Sequence, residues 1–69
     1  MKIEELDVIE SVYELKIENR ESLEKEILKK VKKGYDILFL CTIVNSWIAQ
    51  NYKPNLKKIE VPLDIIKKL

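Results

Sequence analysis

The chain has 69 residues, with 13 basic and 12 acidic side chains, one cysteine and no histidine, and its formal net charge is +1. A chain of this length forms a single domain (residues 1–69) that buries only about 60% of its unfolded surface, so a partner subunit often adds stability. This composition excludes an internal disulfide, an ordinary structural zinc site and a strong overall electrostatic field.

The first predicted element is an amphipathic helix over residues 2–17. Its apolar side chains recur at steps of three and four residues, and acidic side chains occupy the opposite side, where they suit the positive N-terminal end of a helix. A second interpretation stays open, because Tyr13, Leu15 and Ile17 alternate with polar residues as they would in a strand. A short strand over residues 12–18 is therefore the alternative.

The second predicted element is a helix over residues 20–33. Asn19 or Ser22 can cap its start with a side-chain oxygen. Glutamates lie early and lysines late in this segment, as the helix macrodipole prefers, and Gly34 can supply the left-handed residue that ends a helix. The apolar stripe is narrow, so we expect this helix to cover the core with one edge only.

The third predicted element, a helix over residues 36–51, is the most apolar part of the chain. No charged side chain stands between Ile37 and Gln50, and Asp36 can cap the start. The segment runs for roughly four helical turns without a turn residue, which favours a helix, although a buried strand over residues 37–44 is an alternative. Exposing it would forfeit roughly 25 cal/mol per Å² of apolar surface, so we predict that it lies inside.

The C-terminal part is predicted to contain a turn and a short helical segment. Pro54 biases the preceding residue away from helical geometry, and Pro62 can occupy the first position of a helix. The predicted fold is therefore all-α, a small bundle of three helices plus a short C-terminal helical turn. If strands form instead near residues 12–18 and 57–61, the fold is α+β.

The sequence contains no recognisable catalytic arrangement. It has no histidine and no glycine-rich phosphate loop, and no pair of carboxylates stands out. A reactive thiolate needs a nearby positive charge or a helix N-terminus, and no neighbouring residue offers Cys41 the charge, so we interpret it as a small buried apolar residue. We expect a protein that is not an enzyme and uses no cofactor or metal.

The apolar content predicts association, either as a two-fold homodimer or with another protein. Tryptophan and tyrosine are enriched among residues that dominate interface energetics, and the third helix carries most of the large apolar side chains. The predicted interface residues are Phe39, Val44, Trp47, Ile48 and Tyr52. By analogy with small virus- or plasmid-encoded regulators, we expect a protein–protein interaction or regulatory module.

Nucleic acid is the alternative partner. Lysines along the second helix could contact phosphates, and the candidates are Lys25, Lys29, Lys32 and Lys33. A helix-turn-helix mode of docking is not expected, because the following helix would present apolar side chains to the base edges. The near-zero net charge also makes nucleic acid the second hypothesis.

The sequence predicts a cytoplasmic protein that does not enter a membrane. The apolar part of residues 37–48 is shorter than the roughly 20 residues that a membrane-spanning helix needs. The acidic N-terminal region does not fit a secretory signal, and a single unpaired thiol suits a reducing compartment.

Overall fold

Three helices dominate the structure, a computed structural model that describes residues 2–69. The elements within this range are α1 (Glu4–Tyr13), β1 (Lys16–Ile17), α2 (Arg20–Lys32), α3 (Ile37–Asn51), β2 (Lys58–Ile59) and α4 (Asp64–Lys67). The predicted fold of three helices and a final helical turn is confirmed. The strands of the alternative interpretation are also present, each reduced to two residues.

The predicted end of the first helix at residue 17 is wrong, since α1 ends four residues earlier. Glu14 adopts a left-handed backbone conformation with φ of 54°, and the N–H of Leu15 donates to the carbonyl oxygen of Glu10 at 3.1 Å. The chain then becomes extended, with Leu15 and Ile17 both buried. Their alternation therefore marks a real strand. This strand pairs with a distant segment of the chain, and the pairing stabilises it relative to a longer helix.

The two strands form a parallel pair at the side of the helices. The register places Lys16 opposite Lys58 and Ile17 opposite Ile59. The N–H of Lys16 donates to the carbonyl oxygen of Lys57 at 2.9 Å, and the N–H of Glu18 donates to the carbonyl oxygen of Ile59 at 2.8 Å. This ladder attaches the C-terminal segment to the connection between α1 and α2.

The side chain of Asn19 extends the ladder by one step. Its Nδ2 donates to the carbonyl oxygen of Val61 at 2.7 Å, and the N–H of Val61 donates to its Oδ1 at 3.0 Å. Asn19 occupies the N-cap position of α2 without making a side-chain capping bond. The predicted capping role of Asn19 is therefore wrong, because its amide is engaged by a residue 42 positions away in sequence.

The local signals around α3 behave as predicted. The N–H of Phe39 donates to the carboxylate of Asp36 at 3.1 Å, which caps the helix. Gly34, between α2 and α3, has a backbone φ angle of 106°, a conformation that residues with a Cβ atom rarely adopt. These two residues turn the chain so that α3 begins shortly after α2 ends.

Arg20 links the N-terminal segment, α1 and α2 through one partly buried network. Its Nη1 donates to Asp7 at 2.6 Å and to Glu10 at 2.7 Å, its Nε donates to Glu24 at 3.1 Å, and its Nη2 donates to the carbonyl oxygen of Ile3 at 2.9 Å. Glu24 also accepts the N–H of Ile3 at 2.7 Å. The hydrogen bond from Arg20 lowers the pKa of Asp7.

The core lies where α1, α2 and α4 cover one face of α3. That face contributes Leu40, Cys41, Val44 and Ile48, which are all buried. The radius of gyration of 11.3 Å is close to the value of about 11 Å for a folded chain of this length. The accessible surface of 4756 Å² is close to the roughly 4500 Å² of an average monomer of this mass. The chain thus covers most of its apolar segment by itself.

Candidate interaction surfaces

An open groove between α1 and α3 exposes apolar side chains. Val8 and Val12 on α1 are 61% and 69% exposed, and Leu38 on α3 is 56% exposed. The groove has a volume of about 570 Å³, and its other lining residues are Glu5, Ile9, Tyr13, Cys41, Thr42 and Asn45. Only one lining residue is charged, so the groove is suited to an apolar partner. We call this surface the apolar groove.

The spacing of residues on the two helices creates the groove. Leu6 and Ile9 face the core from α1, whereas Val8 and Val12, one turn apart, lie beside that stripe. Leu38 and Thr42 are one turn apart on α3 and lie beside its buried stripe. Isolated exposed apolar residues are common on protein surfaces, but here stripes from two helices face the same space.

Cys41 lies on the floor of the apolar groove and is buried. Burial raises the pKa of its thiol to about 11. The thiol is therefore protonated at neutral pH, and a protonated thiol is a poor nucleophile. This geometry agrees with the interpretation of Cys41 as a small buried apolar residue.

The structure separates the five residues predicted to form an interface. Val44 and Ile48 are fully buried in the core, so they offer no surface to a partner. Phe39 is 50% exposed but does not line the apolar groove. Trp47 and Tyr52 are half-buried, and the ring of Tyr52 lies 5.2 Å from the ring of Tyr13, centroid to centroid.

The residues that line the apolar groove were missed at the sequence level. Val8, Val12 and Leu38 are as apolar as the core residues beside them, so composition alone does not distinguish them. A signal was nevertheless available, because Leu38 falls off the apolar face of its helix. An apolar residue outside the main stripe of an amphipathic helix is a candidate for contact with a partner.

A second surface is basic and lies where the C-terminal end of α2 meets α4. It is a shallow depression lined by Glu26, Lys29, Lys30, Lys32, Lys33 and Lys67. Lys30 is buried, and its Nζ donates to the main-chain oxygen of Leu69 at 2.5 Å. The other four lysines are exposed, and we call them the basic patch.

The structure brings together three of the four lysines that were predicted to contact phosphates. Lys29, Lys32 and Lys33 belong to the basic patch, whereas Lys25 lines a separate depression of mixed charge with Lys2, Glu21, Glu24 and Leu28. Lys67 joins the patch from α4. Sequence reasoning missed Lys67 because only the packing of α4 against α2 places it there.

Comparisons with known proteins give no functional assignment: no family model matches the chain, and no curated protein or solved structure does. Across residues 2–69, the helices are too short or too polar to cross a membrane. Over the same range, no group of three or more histidine, cysteine, aspartate or glutamate side chains is placed to hold a metal ion. A function therefore has to be inferred from the apolar groove and the basic patch.

Proposed function

We propose that the protein is a non-enzymatic interaction module that forms a two-fold homodimer through the apolar groove. The observation that supports this proposal is the convergence of Val8, Val12 and Leu38 on one face of the molecule. Covering such side chains with apolar atoms of a partner yields roughly 25 cal/mol per Å². The module is proposed to act in the cytoplasm, where reducing conditions suit an unpaired thiol.

The α1–α3 face is about as long as it is wide, which leaves room for the same two helices of a second copy of the chain. α3 has 15 residues, which gives it a length of roughly 22 Å, and two packed helices together span roughly 20 Å. A standard interface buries about 800 Å² per partner, or about a sixth of the 4756 Å² surface of this chain. Two copies that meet through this face would form a four-helix bundle.

The distribution of charge on the face is also compatible with self-association. Glu5 is the only charged residue that lines the apolar groove, and it lies in the first turn of α1. If the two α1 helices run antiparallel across the dimer axis, the two Glu5 carboxylates lie at opposite ends of the interface. Like charges that face each other would oppose dimerisation, and this arrangement avoids that contact.

A pair of matched variants tests the proposal. Val12→Glu places a charge in the apolar groove, and we expect it to weaken dimerisation at least tenfold, because a carboxylate would lose water on association. Phe39→Glu introduces the same carboxylate at a half-exposed apolar residue outside the groove. We expect this control to change the dissociation constant of the dimer by no more than about twofold, which corresponds to only about 0.4 kcal/mol.

Analytical ultracentrifugation measures the dissociation constant of the dimer for both variants, and circular dichroism checks that each variant is folded. Equal weakening by the two variants would show that association does not depend on the apolar groove. If Val12→Glu leaves the dimer unchanged, the proposed interface is wrong.

A further inference from the structure

The basic patch contains more positive charge than the fold uses. Its depression is lined by five lysines and one glutamate. The single glutamate, Glu26, is already engaged by Lys29 at 3.4 Å, and its side chain is only 14% exposed. The exposed lysines come from two helices that are far apart in sequence, so the charge accumulates through folding.

Stabilisation of helix ends does not account for this amount of charge. Lysines near a helix C-terminus interact favourably with the macrodipole, which is equivalent to about half a negative charge at that end. Even if α2 and the short α4 each contribute that amount, they offset about one unit. The four exposed lysines and Glu26 have a net charge of +3, so about two positive charges remain for solvent ions or a partner to neutralise.

We propose that the basic patch binds the phosphate backbone of nucleic acid without sequence preference. A chain of phosphates displaces the counterions of several lysines at once, and their release favours binding. Lys29 lies in the last turn of α2 and Lys33 at its C-cap four residues later, which separates them by about 6 Å along the helix axis. The patch can therefore contact successive phosphates rather than a single anion.

The chemistry of the lining favours nucleic acid over an anionic membrane. All six lining residues are charged, whereas helices that bind membrane surfaces combine lysines with an apolar face that enters the lipid. Val8, Val12 and Leu38 line the apolar groove instead, and the exposed Phe39 lines neither surface. The lining also lacks asparagine, glutamine and arginine, which read base edges most often, so we expect contact with phosphates alone.

Fluorescence anisotropy with a short mixed-sequence DNA duplex tests this proposal, which is independent of the proposed dimer. If all four exposed lysines contact phosphates, the logarithm of the binding constant should fall with the logarithm of salt concentration with a slope of roughly −3 to −4 per protomer. The double variant Lys32→Gln/Lys33→Gln should reduce the steepness by about 2, since each lost phosphate contact removes about 1.

The matched control is Lys57→Gln/Lys58→Gln, which removes the same charge from two exposed lysines outside the patch. We expect this control to keep the slope of the unmodified protein. Val12→Glu should also keep the slope per protomer, so failure of the dimer proposal is distinguishable from failure of this one.

Three results would overturn the proposal. The first is no binding to the duplex at low salt. The second is an equal change of slope in the patch variant and the control, which would indicate diffuse attraction by net charge. The third is binding to phosphatidylserine vesicles without binding to the duplex, which would assign the patch to membranes.

Discussion

The Arg20 network and the basic patch are both groups of charged side chains, but the fold uses them differently. The guanidinium of Arg20 donates four hydrogen bonds to three carboxylates and one carbonyl oxygen, and its side chain is only 16% exposed. Lys29 has one ion-pair partner at 3.4 Å, and its side chain is 68% exposed. Charges that have several partly buried partners hold elements together, whereas exposed charges with at most one partner are available to another molecule.

The same contrast exists among the apolar residues. Val44 on α3 is fully buried between the helices, whereas Val12 on α1 is mostly exposed in the apolar groove. Both residues are valine on helices that pack against each other. Because their surroundings differ, Val44 is expected to contribute to the stability of the folded chain and Val12 to its association with a partner.

Replacement of Arg20 gives the largest effect that we predict. Arg20→Ala leaves Glu24 and Glu10 partly buried without their main cationic partner, and removal of one partner from such a network costs about 3 kcal/mol. Urea denaturation followed by circular dichroism measures this loss in the free energy of unfolding. The control Lys29→Ala breaks an exposed ion pair, and we expect it to cost less than about 0.5 kcal/mol. Similar losses in the two variants would contradict the contrast between the partly buried network and the exposed pair.

Truncation of the two valines gives the next largest effect. Val44→Ala creates a cavity in the core and should lower the free energy of unfolding of the monomer by about 2 kcal/mol. Val12→Ala should change it by less than about 0.5 kcal/mol, because surface substitutions rarely cost more, while it weakens the proposed dimer. Denaturation at protein concentrations below the dissociation constant of the dimer measures the free energy of unfolding of the monomer alone. A large loss in Val12→Ala there would show that Val12 belongs to the core.

The smallest effect that we predict is on stability at acid pH. The hydrogen bond from Arg20 holds the pKa of Asp7 below its ordinary value of 3.8. Its stabilisation is therefore complete above that value and is lost as the pH falls through the lowered pKa of the folded state. Denaturation between about pH 5 and pH 2 should show a shallower loss of stability in Asp7→Asn than in the unmodified protein. Equal slopes would mean that this pair does not contribute.

Features of the fold that depend on neighbouring residues could be predicted from the sequence. Asp36 caps α3, and Gly34 takes a left-handed conformation, because each depends on a few adjacent residues. The end of α1 at Tyr13 agrees only with the alternative strand over residues 12–18, and the role of Asn19 could not be predicted. Both depend on residues near position 60 that fold back beside them, and helical periodicity contains no information about that contact.

The candidate surfaces were predictable only in part, for the same reason. Lys29, Lys32 and Lys33 belong to the basic patch because they follow one another at the C-terminal end of α2, whereas Lys67 reaches it only through tertiary packing. Val44 and Ile48 were expected at an interface, yet they lie in the core. An apolar stripe on a helix looks the same in sequence whether its own chain or a second copy covers it.

The molar mass of the unmodified protein in solution tests the proposed dimer most directly. Sedimentation equilibrium at micromolar concentration should give twice the chain mass of 8.2 kDa, with dissociation on dilution. A mass of 8.2 kDa that stays constant up to millimolar concentration would contradict the proposal, because the apolar groove would then remain open to water.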